Sequence, residues 1–139
     1  MPQLTPYLSF DGTCTEAMRF YERVLGGTLE ALVRNGDTPA KDHLPHGNDD
    51  RIMHAKLVAG DLVLMAGDAL AGQPYEPMKG FNLAVTYPTA DEARGVYDAL
   101  AEGGRVTMPF DRTFWAEGAG MLTDRYGTPW IVNGNMQMQ

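Results

Sequence analysis

A chain of 139 residues, 44% of them hydrophobic, is long enough for one hydrophobic core and short for two independent ones, so its length points to a single domain over residues 1–139. A formal charge of −7, with no Lys/Arg cluster to offset it, excludes nucleic acid as a natural partner, and a lone cysteine, Cys14, excludes an internal disulfide and any multi-cysteine metal site. No apolar run approaches the roughly 20 residues that cross a bilayer, and Met1 to Pro6 has neither a basic nor an apolar leader pattern, so the reading is a soluble, cytoplasmic protein with no membrane partner.

In chain order, Leu4, Pro6, Leu8 and Phe10 alternate with Thr5, Tyr7 and Ser9, the period of a half-buried strand. Thr13 and Glu16 then have capping-box spacing, and Ala17, Phe20, Tyr21, Val24 and Leu25 follow on one helical face that ends at Gly26-Gly27. Strands are expected at 28–34, 51–59 and 62–66, the last two joined by a Gly60-Asp61 hairpin turn. Polar inserts at 35–50 and 68–80, rich in Gly, Pro and Asp, read as mobile surface loops.

The same order then repeats. Thr13, Glu16, Ala17, Phe20 and Tyr21 return as Thr89, Glu92, Ala93, Val96 and Tyr97, each 76 residues on (89 − 13; 97 − 21), and this helix runs through Leu100 and Ala101 to Gly103-Gly104. Before it, Phe81, Leu83, Val85 and Tyr87 alternate with Asn82, Ala84 and Thr86. After it come expected strands at 105–110, 121–124 and 130–133, with Asp124-Arg125-Tyr126-Gly127 as the turn. The fold class is therefore α+β: two βαβββ modules, about 1–67 and 81–136, forming a curved mixed sheet with a concave cleft and helices on the convex side. Alternation puts Thr5, Tyr7, Ser9, Asn82, Ala84, Thr86 and Ile131 on the concave side.

Several side chains carry chemistry. His43 and His46, near Asp42, Asp49 and Asp50, are a possible ligand cluster, but Pro45 and the loop composition promise no rigid support. His54 lies mid-strand with Lys56 on its face and Met53, Ala55 and Leu57 on the other. It is either a general base or ligand donor, or a structural histidine bonded to a backbone carbonyl. Thr113-Phe114-Trp115 leads into a loop holding Glu117, Gly118 and Gly120, where the aromatics stack on a flat ligand, plug the end of the sheet or form a dimer contact. Trp130 reads as packing. Cys14 sits at a helix start with no histidine beside it and reads as inert. No phosphate-binding or dinucleotide glycine motif is present.

Two βαβββ modules of this length resemble the vicinal oxygen chelate superfamily, which includes glyoxalase I, extradiol dioxygenases, and fosfomycin and bleomycin resistance proteins. The segments Pro6 to Gly12, Phe20-Tyr21, Leu25-Gly26-Gly27, Met53-His54-Ala55, Thr113-Phe114-Trp115 and Asp124 to Asn133 are similar to its PhnB-like branch over essentially the whole chain. That resemblance implies a ligand cleft and a homodimer. The superfamily's enzymes hold a divalent metal on His, Glu or Gln from corresponding strands; the matching positions here are Thr5, Val63, Asn82 and Ile131, or Tyr7 and Trp130 after a one-residue slip, none of which is such a ligand. A ubiquinone methyltransferase label travels with this branch, yet no S-adenosylmethionine motif is found.

The function expected is thus binding of a small organic ligand in the cleft without metal or other cofactor, through Tyr7, Ser9, His54, Asn82, Thr86, Phe114, Trp115 and Ile131. The alternatives are a glyoxalase-type lyase or isomerase using His54 or Tyr7 or a non-standard metal site, and an interaction protein whose cleft is closed by its own side chains.

Overall fold

The computed structural model describes residues 2–137; residues 1, 138 and 139, which the reading of one 1–139 domain takes in, lie outside them. The chain forms two compact units, Met1–Glu76 and Pro77–Gln139, and each is a βαβββ module.

The first unit holds β1 (Tyr7–Phe10), α1 (Cys14–Leu25), β2 (Thr28–Arg34), β3 (Ile52–Ala59) and β4 (Leu62–Asp68), with strand order β1-β4-β3-β2. β1 runs parallel to β4, and the other pairs are antiparallel. Leu8, Phe10, Ala55, Leu57, Leu64 and Ala66 are buried on the face that meets α1, which contributes Ala17, Met18, Phe20 and Tyr21 to the same core. Burial of such side chains supplies the main driving force for holding helix to sheet, about 1.5–3 kcal/mol for each large one. β1 begins at Tyr7 rather than Leu4, whose side chain is exposed; Pro6 has no N–H for the ladder and only its carbonyl is used, by Met65 N.

The second unit repeats the plan with β5 (Leu83–Tyr87), α2 (Ala90–Ala101), β6 (Arg105–Asp111), β7 (Ala116–Thr123) and β8 (Pro129–Met136), ordered β5-β8-β7-β6. β7 starts five residues before the 121–124 strand read from sequence, absorbing Glu117, Gly118 and Gly120 that look like loop. The glycines in this sheet have a packing cause. A Cβ on Gly120 would come within 2.5 Å of the Tyr97 ring, and one on Gly134 within 2.6 Å of Ala90 Cα, so α2 lies closer to its sheet than any side chain at these positions permits.

The helix starts differ. Thr89 accepts a hydrogen bond from Glu92 N at 3.1 Å, as the spacing predicts. Thr13 caps nothing. Its place is taken by Asp68 at the end of β4, whose Oδ1 accepts from Gly12 N (2.9 Å) and Cys14 N (3.0 Å) while Oδ2 accepts from Ile52 N (2.8 Å). One carboxylate thus ties the start of α1 to two strands.

The 35–50 insert is also more ordered than its composition suggests. Two short 3₁₀ turns, Asn35–Asp37 and Pro39–His43, are anchored by two buried asparagines. Asn35 Nδ2 donates to the Asn48 carbonyl (3.0 Å), Asn48 Nδ2 to the Pro45 carbonyl (3.0 Å), and Asn48 Oδ1 accepts from Ala71 N (2.7 Å). Burying those amides is favourable because each finds backbone partners.

Candidate functional site

In each unit the sheet face turned away from its helix stays open. In the first unit it carries Tyr7 and Ser9, both exposed, with half-buried Met65, His54 and Lys56. The pairing explains who meets whom: Tyr7 lies opposite Met65, which lies opposite Lys56, and the next row runs from Ser9 to Gly67. Gly67 matters because a Cβ there would come within 3.1 Å of Tyr7 Oη, so the bare backbone lets the phenol cross β4. The hydroxyl then reaches β3, donating to the Met53 carbonyl at 3.2 Å and standing 3.4 Å from His54 Nδ1. The two rings stack at 5.9 Å between centroids and 24° between planes.

β3 presents His54 by a bulge that the sequence conceals. Val33 pairs with His54 and Arg34 with Ile52, which leaves Met53 as an extra residue on β3. Simple alternation put Met53 with Ala55 and Leu57 on the buried face; instead Ile52 is buried and Met53 is 46% exposed. Beyond His54, the Lys56 ammonium lies 3.8 Å from Glu30 Oε1, and the Ser9 carbonyl accepts from the Tyr75 hydroxyl at 2.9 Å. Burial raises the Tyr7 phenol above its ordinary value of 10.0, with a smaller push from Cys14, so Tyr7 is a neutral donor near pH 7.

In the second unit the open face carries Ala84, Thr86 and Ile131, as alternation predicts, together with Ala119, Met121 and Asn133. Asn82 lies just before β5 and is exposed. The Thr113 hydroxyl accepts from Trp115 N (3.3 Å) and Ala116 N (3.2 Å), a tight turn that fixes Trp115, whose indole N–H donates to Asn133 Oδ1 at 2.9 Å. Phe114 projects outward, 79% exposed, edge-on to Trp115 at 5.0 Å. The sequence reading therefore brings Tyr7, Ser9 and His54 onto one face and Thr86, Trp115 and Ile131 onto another, but misses Asn133, the hinge of the second group. Its one signal was an amide in the apolar run Trp130-Ile131-Val132-Asn133.

Other groups are structural. Asp124 is buried and accepts from Tyr126 N, Thr128 N and Trp130 Nε1, which accounts for the Asp124-to-Trp130 motif as a locked turn. Cys14 is fully buried, and burial together with the charge of Asp68 pushes its thiol up to about 12. That value removes the thiolate a nucleophile needs. His43 and His46 are exposed, and among the described residues no three His, Cys, Asp or Glu side chains group so as to hold a metal.

Comparison with known proteins decides the family. Residues 3–132 match the family described as Glyoxalase/Bleomycin resistance protein/Dioxygenase superfamily. The chain belongs to this superfamily. It is 34% identical to Protein YjdN of Escherichia coli K12, with 94% of this chain and 93% of that protein covered. The crystal structure of protein PA1353 from Pseudomonas aeruginosa superposes with a TM-score of 0.90 at 46% identity, covering 97% of this chain and 98% of that one. A Bacillus cereus PhnB protein, described as a candidate 3-demethylubiquinone-9 3-methyltransferase, gives 0.79 at 25% identity over 96% and 99%, in keeping with the PhnB-like resemblance.

The donors at the four positions that the resemblance matches to the superfamily's metal ligands do not suit a divalent ion. Thr5 supplies a neutral hydroxyl and Asn82 a neutral amide, while Val63 and Ile131 are hydrocarbon. Asp61 shares an open depression of about 330 Å³ with Thr5 and Val63, but adds one carboxylate from an exposed turn. Catalytic zinc sites use three His, carboxylate or thiolate ligands, and this set offers none at the four matched positions.

Proposed function

We propose that this protein is a metal-free small-molecule-binding member of the glyoxalase/bleomycin resistance superfamily, which takes its ligand on the open faces of its sheets. The observation that carries this reading is the Tyr7–His54 pair. The Tyr7 hydroxyl donates to the Met53 carbonyl and the Tyr7 ring stacks on His54, whose Nδ1 lies 3.4 Å from the same hydroxyl oxygen, so the imidazole is oriented by the phenol. An imidazole with a ring nitrogen to spare for a ligand, a stacked aromatic pair and the Ser9 hydroxyl then stand on a partly apolar face, the mixture that binds small organic molecules. In the second unit Thr86 and Ile131 share the corresponding face, and we propose that Asn82, Phe114 and Trp115 add contacts to it. The family supports a homodimer, and the setting we propose is cytoplasmic.

Thermal-shift screening of the chelator-treated protein with a library of small planar organic compounds tests this, followed by titration calorimetry on wild type, Tyr7→Phe and His54→Ala. Hits that weaken about tenfold in either variant are expected, the worth of one good hydrogen bond in a desolvated site. No hit, or hits indifferent to both changes, would refute it.

A second reading follows from the same imidazole. As a general base, His54 would remove a proton from a carbon acid, which would make the protein a glyoxalase-type lyase or isomerase. Solvent deuterium entering product made from the methylglyoxal–glutathione hemithioacetal, with loss in His54→Ala, would favour it over binding alone.

A further inference from the structure

The second unit holds a buried amide whose orientation is dictated and whose donors are unspent. Asn133 is 5% exposed and lies on the open face, because its neighbours Val132 and Gly134 turn to the helix side: Val132 is fully buried, and a Cβ on Gly134 would meet Ala93 at 2.7 Å. An indole N–H can only donate, so the 2.9 Å contact with Trp115 Nε1 fixes which end of the Asn133 amide is oxygen. The NH₂ group therefore points the other way. Among the described residues it has no hydrogen-bond partner, although no fully enclosed side-chain nitrogen or oxygen there is left unpaired, so the group reaches an accessible surface. Leaving a donor of a nine-tenths buried amide unpaired is unfavourable unless something visits it.

Its surroundings define the visitor. Thr86 is the cross-strand partner of Asn133 on β5, exposed and on the same face, and its hydroxyl is a second donor. Ile131, Ala84 and Met121 occupy the next row of that face, an apolar floor with one adaptable thioether. The Trp115 indole is held against the edge. We infer that Asn133 and Thr86 form a carbonyl-binding site, in which the ligand's carbonyl oxygen accepts from Asn133 Nδ2 and the Thr86 hydroxyl while a flat apolar body rests on Ile131, Met121 and Trp115. Asn133 is the specificity-determining residue: it favours ligands with an acceptor oxygen over hydrocarbons of the same shape. This site rests on the proposed reading of the second unit's open face but uses none of the Tyr7–His54 residues, so its failure is distinguishable from theirs.

Acetophenone and ethylbenzene are matched probes, nearly equal in shape and differing in the carbonyl. Titration of the full chain is followed by the NMR signals of the Asn133 side-chain NH₂ and the Trp115 indole N–H. Acetophenone should shift both saturably and bind at least about fivefold more tightly than ethylbenzene, the range for one or two neutral hydrogen bonds. Asn133→Asp keeps the oxygen that Trp115 needs but removes the donors, and should abolish the preference while the Trp115 signal stays in place. Thr86→Val, which keeps size and face, should reduce the preference about threefold and serves if the aspartate variant does not fold. No saturable shift up to the solubility limit of acetophenone, equal binding of the two probes, or a preference that survives both substitutions would overturn the assignment.

Discussion

The two units share strand order, helix length and the placing of parallel and antiparallel pairs, yet they solve the same local problems with different residues. α2 is capped by its own Thr89, whereas α1 is capped from a distance by Asp68. α2 sits on glycines, Gly118, Gly120 and Gly134, where α1 sits over the alanines Ala55 and Ala66 and larger side chains. One open face is organised by Tyr7 and His54, the other by Trp115 and Asn133. A duplicated unit thus keeps the topology that buries its core and lets caps, close contacts and surface chemistry drift apart, which leaves each half free to carry its own ligand contacts.

That contrast can be broken at its tightest point. Gly134→Val drives a branched side chain into the backbone of α2 at Ala90 and should cost about 3 kcal/mol in urea unfolding or prevent folding, since backbone cannot yield as a side chain does. Gly67→Ala on the first unit's open face meets Tyr7 Oη at 3.1 Å and the Met53 carbonyl at 3.0 Å, and should cost about 1 kcal/mol while displacing the tyrosine.

The caps come next. Asp68→Ala strands the N–H groups of Gly12, Cys14 and Ile52 and should destabilise by about 2 kcal/mol. Thr89→Ala should cost about 1 kcal/mol, and Thr13→Ala, which removes no cap, less than about 0.5 kcal/mol. Equal effects at Thr13 and Thr89 would erase the distinction between the two helix starts.

Smaller effects are read against pH. The Cys14 thiol is raised from 9.0 to about 12, so the fold favours its neutral form; that contribution is complete below pH 9 and is lost as pH rises toward 12. Urea midpoints should fall over this window in wild type and fall less in Cys14→Ala, and native Cys14 should resist thiol reagents that modify it once unfolded. Glu22 moves the other way: its carboxylate accepts from Leu29 N and from Arg19, lies below its ordinary value, and adds stability above the usual carboxylate range that is lost as pH drops. Glu22→Gln should flatten the acid limb of the stability curve slightly.

Much of the fold was legible because it is periodic. The 76-residue repeat, the two helical faces and the alternation in β1 and β5 each rest on neighbours in sequence, and all reappear in the structure. What the sequence concealed depends on partners far along the chain. Asp68 caps a helix 54 residues earlier, Asn48 ties to Ala71, and the Met53 bulge exists only against β2. The start of β7 was hidden because its glycines, which resemble a loop, answer to the close approach of α2. At the candidate site, alternation placed Tyr7, Ser9, His54, Thr86 and Ile131 on the strand faces they occupy, but the Tyr7–His54 contact and the Trp115–Asn133 bond had to be seen in three dimensions.

The central claim is that the open face around His54 binds a small organic ligand by its own side chains. Its most direct test is the His54 imidazole NMR signal, followed while screening hits are titrated into protein kept in excess EDTA. The account predicts a saturable shift of that signal that Tyr7→Phe weakens. A His54 signal that stays still through saturation, or moves only when a divalent ion is supplied in place of the chelator, would contradict it.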